Sequence, residues 1–291
     1  MIRVIASDMD GTLLNEKHVV SERTIQAVKK AAKCGIRFMI ITGRTFQGAL
    51  EGLEGTDFEC DYIVSSGAQV RNTQKEVVFS RLIKSEDCKI ICEILERYPA
   101  HALFCTDDME YCLGDERRLE ENIVEHIKVF DGNVTDEDIT CHPMYSILKK
   151  KTKKAADYEE LKSLQVPVSK IFIFSLDIEM LKALRMELSD LSGIVIADSG
   201  KNNLEITDVD AQKGPVLKNY IESLGYTMEG VMVLGDSMND YSMFAMDFGA
   251  KVAMGNAVER IKVLATCVTK SNAEDGAADV IERMLAQQCE K

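Results

Sequence analysis

At 291 residues, with 46% hydrophobic and 29% charged content, the chain is large enough for one big domain or two. A formal net charge of −13 argues against nucleic acid or an anionic membrane as partner, and no apolar run of about 18 residues is present to span a bilayer. Nine cysteines without C-x-x-C spacing suggest neither a disulfide framework nor a zinc site.

The segment Met1-Ile2-Arg3-Val4 enters a strand with no secretory signal before it, so a cytoplasmic location is expected. The apolar run Val4-Ile5-Ala6-Ser7 predicts a strand buried on both faces, and it delivers Asp8-Met9-Asp10-Gly11-Thr12 at its C-terminal end. Open α/β sheets place their ligands there. If the backbone stays extended, period-two geometry points Asp8 and Asp10 the same way, and Gly11 allows a sharp turn after them. Ser21 is a predicted N-cap for a helix to about Lys33 with Ile25, Val28 and Ala32 on one face, ended by Gly35. A strand over Ile36 to Ile41 follows, closed by Thr42-Gly43-Arg44, then a short helix carrying Phe46, Leu50 and Leu53. The strand Tyr62-Ile63-Val64 runs into Ser65-Ser66-Gly67. This alternation predicts a doubly wound, mostly parallel sheet of Rossmann-like type.

From Lys84 the rhythm changes to an inserted α+β unit. A helix to about Tyr98 precedes strands over Ala102 to Cys105 and Glu110 to Leu113 and a helix over Glu116 to His126. Next are expected a strand near Tyr145 to Leu148, a helix near Ala155 to Leu164, the strand Lys170 to Ser175, the helix Ile178 to Leu191, and strands near Ile194 to Ala197 and Leu204 to Thr207. The α/β alternation resumes with a helix over Val216 to Leu224 and the strand Val231 to Leu234. The core therefore spans 1–83 and 209–291, with 84–208 inserted.

Gly235-Asp236-Ser237-Met238-Asn239-Asp240 follows that strand directly. If the strand runs parallel to the first, Asp8, Asp10, Asp236 and Asp240 reach one sheet edge. Two like charges about 4 Å apart repel by roughly 4 kcal/mol at an effective dielectric near 20, so such a group is tenable only with a cation or strongly raised pKa values, and oxygen ligands of this kind suit Mg²⁺. The competing reading of Asp236 and Asp240 is a helix N-cap and a first-turn acid. Thr42 can donate to a phosphate oxygen or cap a helix. Arg44 is a candidate bidentate phosphate contact or a surface arginine. Lys213, in Asp210-Ala211-Gln212-Lys213-Gly214, can supply positive charge at a helix start.

Taken together, Asp8-Met9-Asp10-Gly11-Thr12, Thr42, Lys213 and Gly235 to Asp240 resemble, in order, the four main signatures of the haloacid dehalogenase superfamily. Met254-Gly255-Asn256-Ala257 and Asn272 to Ala278 are similar to two lesser signatures of its Cof-type phosphatases, which carry a type IIB cap. The chain departs from the pattern at Ser66-Gly67-Ala68, where the family commonly has Asn-Gly-Ala. The resemblance implies a Mg²⁺-dependent phosphatase of small phosphorylated metabolites. In it Asp8 is the nucleophile and Asp10 the general acid and base. Mg²⁺ is held by Asp8, the Asp10 carbonyl and Asp236, with Asp240 ordering the metal's waters or Lys213. Thr42 and Lys213 bind the phosphoryl group, with Met9, Gly43, Arg44, Asn239 and Asn272 as further phosphate or substrate contacts. The insertion is expected to cap the site and choose the leaving group. A phosphomutase on the same scaffold, a phospho-receiver and a silent binding protein are the alternatives, and either a monomer or a small homo-oligomer fits.

Overall fold

The computed structural model describes residues 1–135 and 137–289. The chain opens with β1 (Val4–Ser7), α1 (Glu22–Lys33), β2 (Arg37–Ile41), α2 (Phe46–Gly52), β3 (Asp61–Val64), β4 (Gln69–Arg71) and β5 (Val77–Ser80). It continues through α3 (Ser85–Leu95), β6 (His101–Cys105), β7 (Glu110–Leu113), α4 (Glu116–Phe130), α5 (Pro143–Lys151), β8 (Thr152–Ala155), α6 (Tyr158–Ser163), β9 (Lys170–Phe174), α7 (Ile178–Leu188), β10 (Ile194–Ala197) and β11 (Asn203–Asp208). It ends with α8 (Lys213–Ser223), β12 (Val231–Gly235), α9 (Tyr241–Phe244), β13 (Ala250–Ala253), α10 (Glu259–Leu264), β14 (Cys267–Val268) and α11 (Gly276–Cys289). Two compact units result, one of Met1–Ser80 with Asp210–Lys291 and one of Arg81–Val209.

The first unit holds an eight-stranded sheet in the order β14-β13-β12-β1-β2-β3-β4-β5. It is parallel from β14 to β3, and β4 and β5 add an antiparallel meander at one edge. Strand β1 sits centrally and buries both faces. Ile5 packs in the layer of Ala27, Val28 and Ala31 from α1, while Val4 and Ala6 pack in that of Val216, Leu217 and Ile221 from α8. An uninterrupted apolar strand is therefore required, as its sequence reads. The winding direction reverses between β1 and β12, which makes the C-terminal ends of these two strands the switch point of the sheet.

The second unit is a six-stranded sheet in the order β10-β11-β9-β6-β7-β8, antiparallel except for the β7–β8 pair. Helices α3, α6 and α7 cover one face with Ile91, Leu161 and Leu184. Helices α4 and α5 cover the other with Ile123 and Leu148.

Several expectations are corrected. Tyr145 to Leu148 is not a strand but the middle of α5, which starts on Pro143 after the His142 ring accepts from the Met144 N–H. Leu148 and Tyr145, three apart on that helix, meet the α4 layer. Thr152 to Ala155 is strand β8, which displaces the start of the following helix to Tyr158. Strands β4 and β5 were not foreseen. Their turn is closed by Asn72, whose side chain accepts from the Glu76 N–H. On α1 the Ser21 cap stands, accepting from the Thr24 N–H, but the buried face is Thr24, Ala27, Val28 and Ala31, with Ala32 exposed.

The link from β3 to β4 stores backbone strain. Ser65, Ser66 and Gly67 take φ of +50°, +59° and +107° in succession. A Cβ on Gly67 would lie 2.8 Å from the Gln212 carbonyl carbon, so only glycine fits there. The Ser65 hydroxyl is buried with no hydrogen-bond partner among the described residues. Left-handed backbone costs a non-glycine residue about 1–2 kcal/mol, and the orphaned hydroxyl adds to it. Ser65→Gly is therefore expected to stabilise the fold by about 1 kcal/mol after the entropy gained by the unfolded chain is set against it. Thermal denaturation should show a Tm at least about 2 °C higher; a lower one would mean that the serine holds the turn.

Candidate active site

The first acidic loop leaves β1 while still tied to the neighbouring strand, because the Asp8 N–H donates to the Leu234 carbonyl at 3.0 Å. The chain then coils through Met9–Leu13 in a wide turn, closed by the Leu14 N–H on the Met9 carbonyl at 2.8 Å. Gly11 sits in this turn at φ +73°, where a Cβ would lie 2.5 Å from Asp236 Oδ2. Both the conformation and the close approach demand glycine. Thr12 donates its hydroxyl to Asp236 Oδ1 at 2.8 Å, so the loops after β1 and β12 are joined directly.

Lys213, the first residue of α8, is fully buried between them. Its ammonium donates to Asp8 Oδ1 and Asp240 Oδ1 at 2.7 Å each and to Asn239 Oδ1 at 3.1 Å. Asp240 Oδ2 accepts from the Asp236 and Ser237 N–H groups at 2.9 and 3.2 Å. Asp240 is thus both the acid of a capping box with Ser237 and the counter-ion of Lys213. The first-turn role weighed against a functional one is real, and the two coexist on different oxygens.

Asp8, Asp236 and Asp240 each bring a carboxylate oxygen within 4.8 Å of the others. Burial pushes the Asp8 carboxyl well above its ordinary pKa, against the pull of Lys213. Burial and then the Asp240 charge push Asp236 up to about 7. For Lys213 burial works the other way, but Asp240 and Asp8 overcome it and hold the ammonium charged.

The remaining candidates divide. Asp10 does not join the acidic group. Its carboxylate lies in the fork of Arg44, Nε to Oδ2 at 2.7 Å and Nη2 to Oδ1 at 2.5 Å, and its side chain is 48% exposed. Arg44 is thereby committed to Asp10 and to the Gly48 carbonyl. Thr42 is buried and is not the cap of α2, which Thr45 provides. Its Oγ1 accepts from the Arg44 N–H at 3.1 Å, leaving the hydroxyl hydrogen without an acceptor among the described residues. Gly43 is half-buried in the bend beside it. The Met9 side chain is buried in the core, which leaves only its backbone for any contact. Asn239 lies on Lys213. Asn272 gives its side-chain amide to the Leu14 carbonyl at 2.9 Å, so it braces a loop. Thr12 and Ser237 carry geometry that was not foreseen; their places beside Gly11 and Asp236 were the available signal.

Acidic loops and a buried lysine gathered at the switch point of a doubly wound sheet define an enzyme of the α/β class. The family model for haloacid dehalogenase-like hydrolases matches residues 5–281, and the chain belongs to that family. The protein named 5-amino-6-(5-phospho-D-ribitylamino)uracil phosphatase YwtE from Bacillus subtilis is 29% identical over 287 residues, covering 99% of each chain. The pyridoxal phosphate phosphatase YbhA of Escherichia coli is 25% identical and covers 96% of this chain and 97% of its own. Among solved structures, a haloacid dehalogenase-like hydrolase from B. subtilis superposes with a TM-score of 0.83 at 26% identity, covering 97% of this chain and 99% of its own. Hydrolases of this family generally use a divalent metal, and the donors here fit one. Asp8 Oδ2 and Asp236 Oδ2 are carboxylate oxygens without hydrogen-bond partners among the described residues, in a group within 4.8 Å of one another.

An acid whose pKa is raised by folding binds its proton more tightly in the folded state, so in chelator stability should rise as pH falls from 8 through about 7. Asp236→Asn keeps the acceptor for Thr12 and removes the charge. Thermal melts in chelator should give this variant a higher Tm at pH 8, by at least about 2 °C, and a flatter pH dependence. An unchanged slope would show that Asp236 is not the strained carboxylate.

Proposed function

We propose that this hydrolase is a Mg²⁺-dependent phosphatase of small phosphorylated metabolites, acting through an aspartyl-phosphate on Asp8. The observation that carries the reading is the Asp8 carboxylate itself, with one oxygen fixed on Lys213 and the other without a partner among the described residues, at the switch point of the sheet. The relatives described above are named for phosphatase activity on small phosphorylated compounds, which supports the same substrate class here.

The free Asp8 oxygen attacks phosphorus in line as the bond to the leaving oxygen breaks. Lys213 holds the other Asp8 oxygen and adds positive charge beside the transferring group, and the Thr42 hydroxyl has a hydrogen to offer it. Asp10 protonates the leaving oxygen. It then takes a proton from the water that attacks the aspartyl-phosphate, and inorganic phosphate and free Asp8 are the products. To do so Asp10 must withdraw at least one oxygen from the Arg44 fork. Asp8, Asp236 and the Asp10 carbonyl would hold Mg²⁺, which supplies charge neutralisation on the phosphoryl oxygens. Asp240 does its work by fixing Lys213 and the loop amides. Residues 84–208 are proposed to select among leaving groups, with 1–83 and 209–291 as the catalytic core.

Release of inorganic phosphate from a broad panel of phosphate monoesters, with Mg²⁺ and with chelator, tests this reading. Wild type should hydrolyse some members only with the metal. Asp8→Asn should lose about 10³-fold or more in kcat while its circular dichroism and Tm stay near wild type. Activity that survives in folded Asp8→Asn would remove Asp8 as the nucleophile.

A further inference from the structure

The loop from Met254 to Val258, after β13, touches both acidic loops at once. The Asn256 side-chain amide donates to the Gly11 carbonyl at 2.8 Å, in the turn that follows Asp8 and Asp10. Two residues on, the Val258 N–H donates to the Asp236 carbonyl at 2.9 Å. The same loop is held from behind by the segment after β14. Asn256 Oδ1 accepts from the Asn272 N–H at 3.0 Å, and the Gly255 N–H donates to the Lys270 carbonyl at 2.9 Å. Asn272 then reaches past Asn256 to donate its own side-chain amide to the Leu14 carbonyl at 2.9 Å, at the far end of the Met9–Leu14 turn.

These contacts form a closed circuit. The Asp8 loop is pinned on one side by β12, through the Asp8 N–H on Leu234, and on the other by two asparagine amides from the C-terminal loops. The Asp236 loop is pinned by Thr12 and by Val258. Asn256 is the one side chain in this circuit that bonds both the Asp8 turn and the C-terminal segment carrying Asn272. It is exposed, so its hydrogen bonds contribute little to folding. A small share in stability combined with a central place in the circuit points to positional precision.

We propose that Asn256, supported by Asn272, is a positioning residue that sets the spacing of Asp8 from Asp236 and so tunes the site for its cation and for attack on phosphorus. It touches no reacting atom. The inference rests on the phosphatase reading above for its catalytic consequence, but not for its structural one.

Three measurements on full-length Asn256→Ala test it. Hydrogen exchange in chelator should speed up across residues 9–14, with Tm within about 2 °C of wild type. Mg²⁺ affinity by calorimetry should fall about tenfold, the size expected when a group that orients a ligand loop is lost. Against whichever phosphate monoester the panel identifies, kcat should fall by a similar factor while KM changes less than about twofold. Asn256→Asp keeps the acceptor for the Asn272 N–H but turns an anion toward the Gly11 carbonyl, so it should fare no better than the alanine variant. Unchanged exchange across 9–14 together with wild-type Mg²⁺ affinity in Asn256→Ala overturns the proposal. Faster exchange and weaker Mg²⁺ binding in a protein that hydrolyses no phosphate ester uphold the brace and overturn the phosphatase reading instead.

Discussion

The site depends on one buried cation. Lys213 is enclosed between Asp8 and Asp240, and an ammonium taken out of water is tolerable only with carboxylates within hydrogen-bond reach. That demand fixes three parts of the chain against each other: the end of β1, the loop after β12 and the first turn of α8. Removing Lys213 would leave the buried carboxylates unmatched, whereas Asp240 would still answer Lys213 if Asp8 lost its charge. The arrangement also divides labour among the acids. Asp240 has both oxygens committed, Asp8 has one without a partner among the described residues, and Asp236 is steered by Thr12.

Much of this was legible in the sequence, since each signature is a short polar cluster at the end of an apolar strand. A parallel sheet delivers such clusters to a common edge whatever the intervening chain does. Asp8, Asp236 and Asp240 meet on that logic, while Lys213 comes from the first turn of α8. Asp10 does not, and the reason is local. Period-two reasoning assumes an extended backbone, but the chain coils from Met9 onward, and Arg44 from the loop after β2 collects the carboxylate. A pairing between side chains 34 residues apart has no signal in spacing. Asn272 gives its side-chain amide to the Leu14 carbonyl, a backbone group invisible to side-chain patterns.

The inserted unit was harder to read because its elements are short and half-exposed. Tyr145-Ser146-Ile147-Leu148 alternates in polarity closely enough to pass for a strand, yet Pro143 and the His142 cap start a helix there and packing against α4 decides the matter. Lys149 to Lys151 form that helix's last turn, where cations suit the dipole. At the edge of the first unit's sheet, strand β5 exposes Val77 and Val78, so hydrophobic burial gave no hint of it either. In the core, burial and local pattern agree; in these segments tertiary contacts override the pattern.

Charge bookkeeping at the site links the fold to the chemistry. The protein is strongly acidic overall, and its three clustered carboxylates outnumber Lys213 by two. Burial and neighbouring charge push both Asp8 and Asp236 above the ordinary carboxylate range. One divalent cation would cancel the excess charge. The same step would remove the local repulsion that a phosphate dianion meets as it approaches an anionic protein. The contacts of Asn256 and Asn272 with the turn after Asp8 would then oppose the drift of the carboxylates away from one another.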